Sequence, residues 1–425
     1  MSSAEIEFFN TSKERLFKTL FKAQQSVPFY RNLYRFKLPP QELFTYSWFQ
    51  QKVPILTKGM LQEAGEQMLS HEYDASELNT ESTSGSEGVP LIVYKTMNEQ
   101  NLCGLELWKF RRKFIPGLTP QHRFARFYAY RSRGDGHQPT KGMYVKGNDL
   151  HIPLSDFSYN TVVDICEAIE EFKPTWIHGP STAICNIAKV RNEMGCSFEG
   201  FAAVELNGER VRPEQVEIIK HAFGCKVINN YGCREFWTLG YGEETGPLNI
   251  PQKSVYLETA FNANAGQSEL LVTTLRNHAW PLIRYKVGDT GSIEINQSTS
   301  TDSPQFCLSL TSGRVSDYFQ LAGGITVNAI LFSGISRALS KHYGFTVINQ
   351  YQVRKYSESK LEIALCINKQ LCDEFIIKNV VDKFEQDVRT IIPESINISF
   401  VLADYIQPSE QTGKAKDFVD YTLQK

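Results

Sequence analysis

The sequence has no apolar run that could cross a bilayer, because charged or polar residues interrupt every hydrophobic stretch well short of the roughly 20 residues a spanning helix needs. It lacks the apolar core of an export signal, since the opening MSSAEIEFFNTSKER places Glu5 and Glu7 early. It lacks an excess of either charge. With 45 Lys+Arg against 47 Asp+Glu the net charge is −2, so no global basic field draws nucleic acid or a membrane surface, and neither is expected as a partner. The nine cysteines (103, 166, 185, 196, 225, 233, 307, 366 and 372) include no C-x-x-C pair. Their odd, unpatterned spacing argues against a zinc cluster or disulfide framework and for reduced thiols in the cytoplasm.

What is present is an ordinary globular composition, 41% hydrophobic and 22% charged, over 425 residues, which makes two domains the natural expectation. Phe8, Leu16, Leu20 and Phe21 recur at helical spacing until Pro28 stops the pattern, and residues 42–70 read as further short helices broken at Pro54. A Ser/Thr/Gly cluster leads into the β-branched run at 90–95 (PLIVYK), a loop and then a strand. Between 158 and 231 helices and short apolar strands alternate, the pattern of a largely parallel α/β sheet. From 253 to 294 the texture is strand only, and 325–425 reads as a small α+β unit of about a hundred residues. The expected architecture is therefore α/β, with a large N-terminal domain (1–315) of mixed sheets flanked by helices and a small α+β C-terminal domain (316–425).

Five features carry chemistry. Thr83-Ser84-Gly85-Ser86-Glu87-Gly88-Val89-Pro90 offers glycines and hydroxyls whose backbone N–H groups can curl around phosphate oxygens, although it lacks the G-K-[ST] ending of the Walker loop; a flexible surface loop is the plain alternative. Asn230-Tyr231-Gly232-Cys233-Arg234-Glu235 follows an apolar strand, where a tyrosine can stack on a purine and a carboxylate can hold Mg²⁺; a buried tyrosine and a surface glutamate would look the same. Asp289, after Gly288 at the expected end of a strand, can accept ribose hydroxyls or merely cap a turn. Gly313-Arg314 marks the domain boundary, and Gly413-Lys414 lies in a polar loop, PSEQTGKAK.

Taken in chain order, these features resemble the motif series of the adenylate-forming superfamily of acyl-CoA synthetases, peptide-synthetase adenylation domains and luciferases: T-S-G-[ST]-T-G-x-P, Y-G-x-T-E, Y-x-x-G-D, G-R-x-D-D and G-K. More narrowly the chain is similar to the phenylacetate–CoA ligase family in its CapK-like branch, through SVPFYR (26–31), VPILTK (53–58), Asn207-Gly208-Glu209 and Tyr231–Glu235. The resemblance implies that Thr83, Ser84, Gly85, Ser86 and Gly88 cradle phosphates, and that Asn207, Gly208, Glu209, Asn230 and Gly232 border the nucleotide. It further implies that Tyr231 contacts adenine, Asp289 the ribose, Arg314 the ribose or phosphate, and that Glu235 holds Mg²⁺. Lys414 would bridge the α-phosphate and the substrate carboxylate, carried by a small domain that rotates after adenylation.

The implied reaction is ATP-dependent activation of a carboxylic acid to an acyl-adenylate, with release of pyrophosphate. Acyl transfer to CoA, to the phosphopantetheine thiol of a carrier protein, or to another nucleophile would follow. The family's acid pocket lies near Gly179 and the Tyr231 strand, so Trp176, His178, Gly179, Phe236 and Trp237 are the expected lining and hint at an aromatic acid; the same aromatics also read as core. Glu87, Val89, Arg234 and Ser316 depart from the family pattern. Glu87, Val89 and Ser316 favour the alternative of a degenerate nucleotide-binding scaffold, and a third reading is direct amide, ester or N–N bond formation without CoA.

Overall fold

The structure is a computed structural model, and it describes residues 2–82, 91–128, 142–153, 159–208, 211, 213–262, 267–296, 304–312, 318–328, 330–345, 347–369, 371–404, 406 and 418–423. The chain opens with helices α1 (Ser3–Ser26), α2 (Pro28–Leu33), α3 (Tyr46–Lys52) and α4 (Lys58–Ala64), then a hairpin of β1 (Asn79–Ser82) and β2 (Ile92–Lys95), then α5 (Met97–Phe114). The alternating region follows: β3 (Phe124–Tyr128), β4 (Tyr144–Lys146), β5 (Asp149–Pro153), α6 (Tyr159–Phe172), β6 (Trp176–Pro180), α7 (Ser181–Glu193), β7 (Ala203–Asn207), α8 (Pro213–Phe223) and β8 (Lys226–Cys233). Strands alone continue as β9 (Trp237–Glu243), β10 (Leu248–Asn249), β11 (Val255–Asn262), β12 (Gln267–Thr274), β13 (Tyr285–Ile295) and β14 (Phe306–Ser312). The last third holds β15 (Tyr318–Leu321), β16 (Ile325–Asn328), α9 (Ile330–Tyr343), β17 (Ile348–Ser357), β18 (Lys360–Ile367), α10 (Glu374–Arg389), β19 (Asn397–Leu402) and β20 (Phe418–Asp420).

One mixed sheet of twelve strands, ordered β11-β12-β13-β14-β10-β9-β8-β7-β6-β3-β5-β4, runs through the first 312 residues. Its β5-β3-β6-β7-β8 stretch is parallel, and the hand-over to antiparallel pairing comes at β8–β9. Ligands of open α/β sheets collect beyond the carboxyl ends of such strands, where the connectivity changes. Helices α6, α7 and α8 cover one face of the parallel part through Ile165, Ile184, Ile187, Val216 and Ile219. On the other face α5 packs against Trp176, Ile228 and Tyr241.

The antiparallel end is covered by the N-terminal helices. Ser2 and Glu5 close a capping box on α1, which buries Phe8, Phe9, Leu16 and Leu20 against Tyr256 and Phe306. Phe21, read from the sequence as part of that stripe, is half exposed; the inward position belongs to Phe9.

A separate four-stranded sheet, β19-β18-β17-β20, packs with α9 and α10 around a core drawn entirely from residues 319–418. The three-residue strand β20 was not legible in the sequence; it returns to pair in parallel with β17. Among the described residues no helix is long and apolar enough to cross a membrane.

Candidate active site

Two side chains that lie 58 residues apart in the chain meet first. Tyr231 near the end of β8 donates its hydroxyl to Asp289 Oδ2 at 2.7 Å. The contact depends on a bulge that the sequence reading missed. Asp289 does not end a strand: β13 runs through it, and Val287, Gly288 and Asp289 together face the single residue Leu270 of β12, because Glu269 pairs with Thr290 and Leu271 with Lys286. Gly288 sits at φ 87°, open to glycine at little cost, so the glycine read as a turn is the hinge of a bulge that re-aims the next side chain.

The start of β13 is fixed by the two N-terminal motifs. Leu56 N–H donates to the Arg284 carbonyl at 3.0 Å and Lys286 N–H to the Leu56 carbonyl at 2.9 Å. The hydroxyl of Tyr30 donates to the Pro281 carbonyl at 2.9 Å. Arg284, buried, pairs in a fork with Glu258 at 2.9 and 3.2 Å and donates to the Gln50 carbonyl at 2.9 Å. The residues 26–31 and 53–58 thus brace the strand that carries Asp289.

Glu235 lies in the turn after β8, half-buried, with the Tyr285 hydroxyl 3.4 Å from Oε1. That turn is clamped to the hairpin flanking residues 83–90. Lys95 of β2 donates to the Arg234 carbonyl at 2.7 Å and to Glu81 Oε2 of β1 at 3.1 Å. Burial lowers the Lys95 pKa and Glu81 opposes that shift. Trp237 donates its indole N–H to both oxygens of Glu81, at 3.0 and 2.9 Å, while Lys95 sits 4.9 Å from its ring centre. Trp237 holds φ at 67°, a backbone state unfavourable for a bulky side chain, and the Glu81 clamp holds it there.

Gly232 is required by the same turn. A Cβ there would stand 1.6 Å from the Trp237 carbonyl oxygen. Gly232→Ala should therefore push β9 away from β8 and lower stability by about 1–3 kcal/mol. Urea unfolding reads this directly, and an unshifted midpoint would mean that the turn opens without strain.

Behind the carboxyl ends of β6, β7 and β8 lies a buried polar network that the motifs did not announce. Glu205, fully buried in β7, receives Arg111 of α5 in a fork at 2.9 and 2.8 Å, the Tyr241 hydroxyl at 2.8 Å and Asn230 Nδ2 at 3.2 Å. Burial alone would raise its carboxyl, but the charge and hydrogen bonds of Arg111, with the Tyr241 hydroxyl, hold it down at about 2. Asn230 Oδ1 accepts from Thr238, so this amide is engaged at both ends. Asn207 Nδ2 donates to His178 Nδ1 at 2.9 Å, which leaves the imidazole proton on Nε2. Burial lowers the His178 pKa to about 4, against the pull of Glu205 3.9 Å away. His178 is therefore neutral near pH 7.

The aromatic residues expected to share one pocket are divided between clusters. Trp176 is core: its ring stacks on Phe124 at 4.9 Å and carries the Arg111 guanidinium at 4.7 Å. Phe236 belongs with Tyr285 and the antiparallel core, and Trp237 with Glu81. Phe236 and Trp237 line a cavity of about 20 Å³ beside Lys95, Glu99 and Cys103, room for a water and not for an acid. Gly179 faces Phe127 so closely that a Cβ would stand 2.1 Å from its ring. Of the expected lining, only His178 and Gly179 remain at the carboxyl ends of the parallel strands.

Gly208, at φ 71°, ends the β7 side of that crevice. Thr83, Ser84, Gly85, Ser86, Gly88, Glu209, Arg314 and Lys414 lie outside the described residues. Glu81, Lys95, Arg111 and Glu205 were missed by the sequence reading. A Glu amid the apolar run AVEL (203–206) was the one signal available.

No family model matches the chain. A stretch of 170 residues, 39% of this chain, is 27% identical to Protein CapK of Staphylococcus aureus; the match spans 37% of that relative's length. A crystal structure of 2-hydroxyisobutyryl-CoA ligase in complex with 2-HIB-AMP and CoA in the thioesterification state is similar at TM-score 0.57 and 17% identity, over 99% of this chain and 90% of that one. The same ligase in the postadenylation state with 2-HIB-AMP is similar at TM-score 0.54 and 18% identity, again over 99% and 90%. The chain has the adenylate-forming ligase fold.

Proposed function

We propose that this protein activates a small carboxylic acid with ATP, forming an acyl-adenylate and pyrophosphate, and then passes the acyl group to the thiol of CoA. The observation that carries the reading is the 2.7 Å hydrogen bond between Tyr231 and Asp289, which brings the expected adenine and ribose contacts to one place. The Glu81–Trp237 and Lys95–Arg234 contacts support it, since they tie the strands flanking loop 83–90 to the turn bearing Glu235. The ligase of similar fold has been crystallised with an acyl-adenylate and CoA, which favours a CoA thiol over the direct formation of an amide or ester.

In this reading a carboxylate oxygen of the acid attacks the α-phosphorus, and the bond to the departing pyrophosphate breaks. Both partners are anionic, so positioned positive charge must precede the reaction. Among the described residues no group of three or more His, Cys, Asp and Glu side chains could enclose a metal. A single half-buried carboxylate such as Glu235 fits Mg²⁺, which keeps waters and takes its other ligands from phosphates. When bound, Mg²⁺ would supply neutralising charge at the phosphates. Neutral His178, with its proton on Nε2, can donate a hydrogen bond near the acid without holding it as an ion pair. We place the boundary of the small domain at 315/316 and assign it the role of a lid that delivers Lys414.

Saturating Mg²⁺-ATP should raise the melting temperature, because a ligand selective for the native state stabilises it by mass action. Asp289→Ala should weaken ATP binding by about 1.5–3 kcal/mol, the loss of one charge-assisted hydrogen-bond partner. Calorimetric titration measures both. No heat and no thermal shift with ATP would end the nucleotide reading; pyrophosphate release across a panel of acids identifies the substrate.

A further inference from the structure

Away from the crevice, a second cavity is lined by four cationic side chains, Arg15 and Lys18 of α1, Lys253 before β11 and Arg276 between β12 and β13, together with Leu275 and His278. The His278 imidazole is kept neutral near pH 7, because burial, with the charges of Lys22 and Lys18, lowers its pKa to about 4. It measures about 290 Å³ and opens to solvent. Arg15, Lys18 and Lys253 are exposed at its rim, while Arg276 and His278 are half-buried. Such a concentration is conspicuous in a chain of net charge −2.

Among the described residues Arg276 has one acidic neighbour at ion-pair distance, Glu106, and Arg15, Lys18 and Lys253 have none. Two acids approach the same loops, and both are committed to other groups. Glu99 accepts the backbone N–H groups of Thr96, His278 and Ala279. Glu106 accepts the Lys253 backbone N–H and the Ser254 hydroxyl, and its Oε2 stays 3.9 Å from Arg276 Nε, beyond hydrogen-bond reach. Among the described residues Arg15 donates only to the Gln252 carbonyl, at 3.3 Å. Two inner polar atoms, Arg276 Nε and His278 Nδ1, are shielded from solvent and have no hydrogen-bond partner among the described residues. Orphaned polar atoms of this kind cost free energy unless something fills the site.

We infer that this cavity is a binding site for a small phosphate-bearing dianion or polyanion, separate from the nucleotide crevice. Guanidinium forks match phosphate oxygens two at a time, and the ammonium groups at the rim add charge without fixing geometry. The volume suits a diphosphate or a phosphorylated metabolite, and the cluster is too confined for a track along a nucleic acid. The assignment does not depend on the proposed ligase activity.

The probe is inorganic pyrophosphate titrated into the full chain in the presence of EDTA, followed by calorimetry and by the imidazole NMR signals of ¹³C-histidine-labelled protein, with His278→Gln assigning its resonance. Saturable binding that moves the His278 signal is expected. Arg276→Gln and, on the exposed rim where folding is not at stake, Lys18→Gln should each weaken it, Arg276→Gln by about tenfold or more. Glu235→Gln should leave it unchanged, which separates this site from the crevice. An unmoved His278 signal, or full affinity in both Lys18→Gln and Arg276→Gln, would overturn the inference. Citrate binding as tightly as pyrophosphate would overturn the phosphate class.

Discussion

Glu205→Ala should lower the unfolding free energy by about 3–5 kcal/mol, a large share of what holds such a fold together. The carboxylate is fully buried and, among the described residues, is the one anion paired with Arg111, which is itself nearly buried. Removing it strands a guanidinium among Trp108, Trp176 and Tyr241 and leaves the Tyr241 hydroxyl and the Asn230 amide without their acceptor. Glu205→Gln keeps the shape but not the charge, and the pH dependence separates the two contributions. Because the folded carboxyl is held at about 2, below its ordinary value near 4.5, its contribution is complete above that ordinary value and is lost as pH falls towards 2. The stability gap between the wild-type protein and Glu205→Gln should therefore be widest at neutral pH and close in acid. Urea unfolding at several pH values tests this. A gap that is flat with pH, or a Glu205→Ala loss under 1 kcal/mol, would show that Arg111 finds another partner.

That network also marks how far the sequence could be read. The helices and parallel strands between 159 and 231 were legible because each carries its own apolar period, and their bounds follow from Gly and Pro at the ends. Tyr231, Glu235 and Asp289 could be singled out because each belongs to a short motif, and the structure brings the first and the last of them into contact. Arg111 and Glu205, 94 residues apart, form no motif, and their meaning arises only when α5 crosses the sheet. The bulge at Val287–Asp289 was misread for a related reason. A glycine inside a strand and a glycine ending one look alike until the partner strand is known, and here the partner supplies only Leu270 opposite three residues. The aromatics read from the sequence either as pocket lining or as core are separated by the fold, because closeness in sequence is not closeness in space. Alternation along β6 turns Trp176 into the core beneath α5, while Trp237 is rotated by its φ of 67° towards Glu81.

Lys414→Ala should leave the fold intact and cut adenylation by about a hundredfold to a thousandfold, the usual consequence of losing one preorganised charge at a developing anion. The neighbouring architecture makes the first half of this expectation physical. Lys414 belongs to the connection between β19 and β20, which are the two edges of the four-stranded sheet. Both ends of that connection are anchored without it: Ile406 is buried against Ala364 and Cys366, and Phe418 stacks on Phe319 at 4.3 Å. The second half rests on the proposed reaction. An ammonium group contributes little in water, where a charge pair at 4 Å is worth about 1 kcal/mol, and several times more in a closed site between a carboxylate and an α-phosphate. Lys416, two residues on, has the same charge and no assigned role, so Lys416→Ala should adenylate at close to the normal rate. Pyrophosphate release by the two variants, each checked by circular dichroism, decides the matter. If Lys414→Ala stays active, or Lys416→Ala is the impaired one, the lysine that serves the α-phosphate is not at 414.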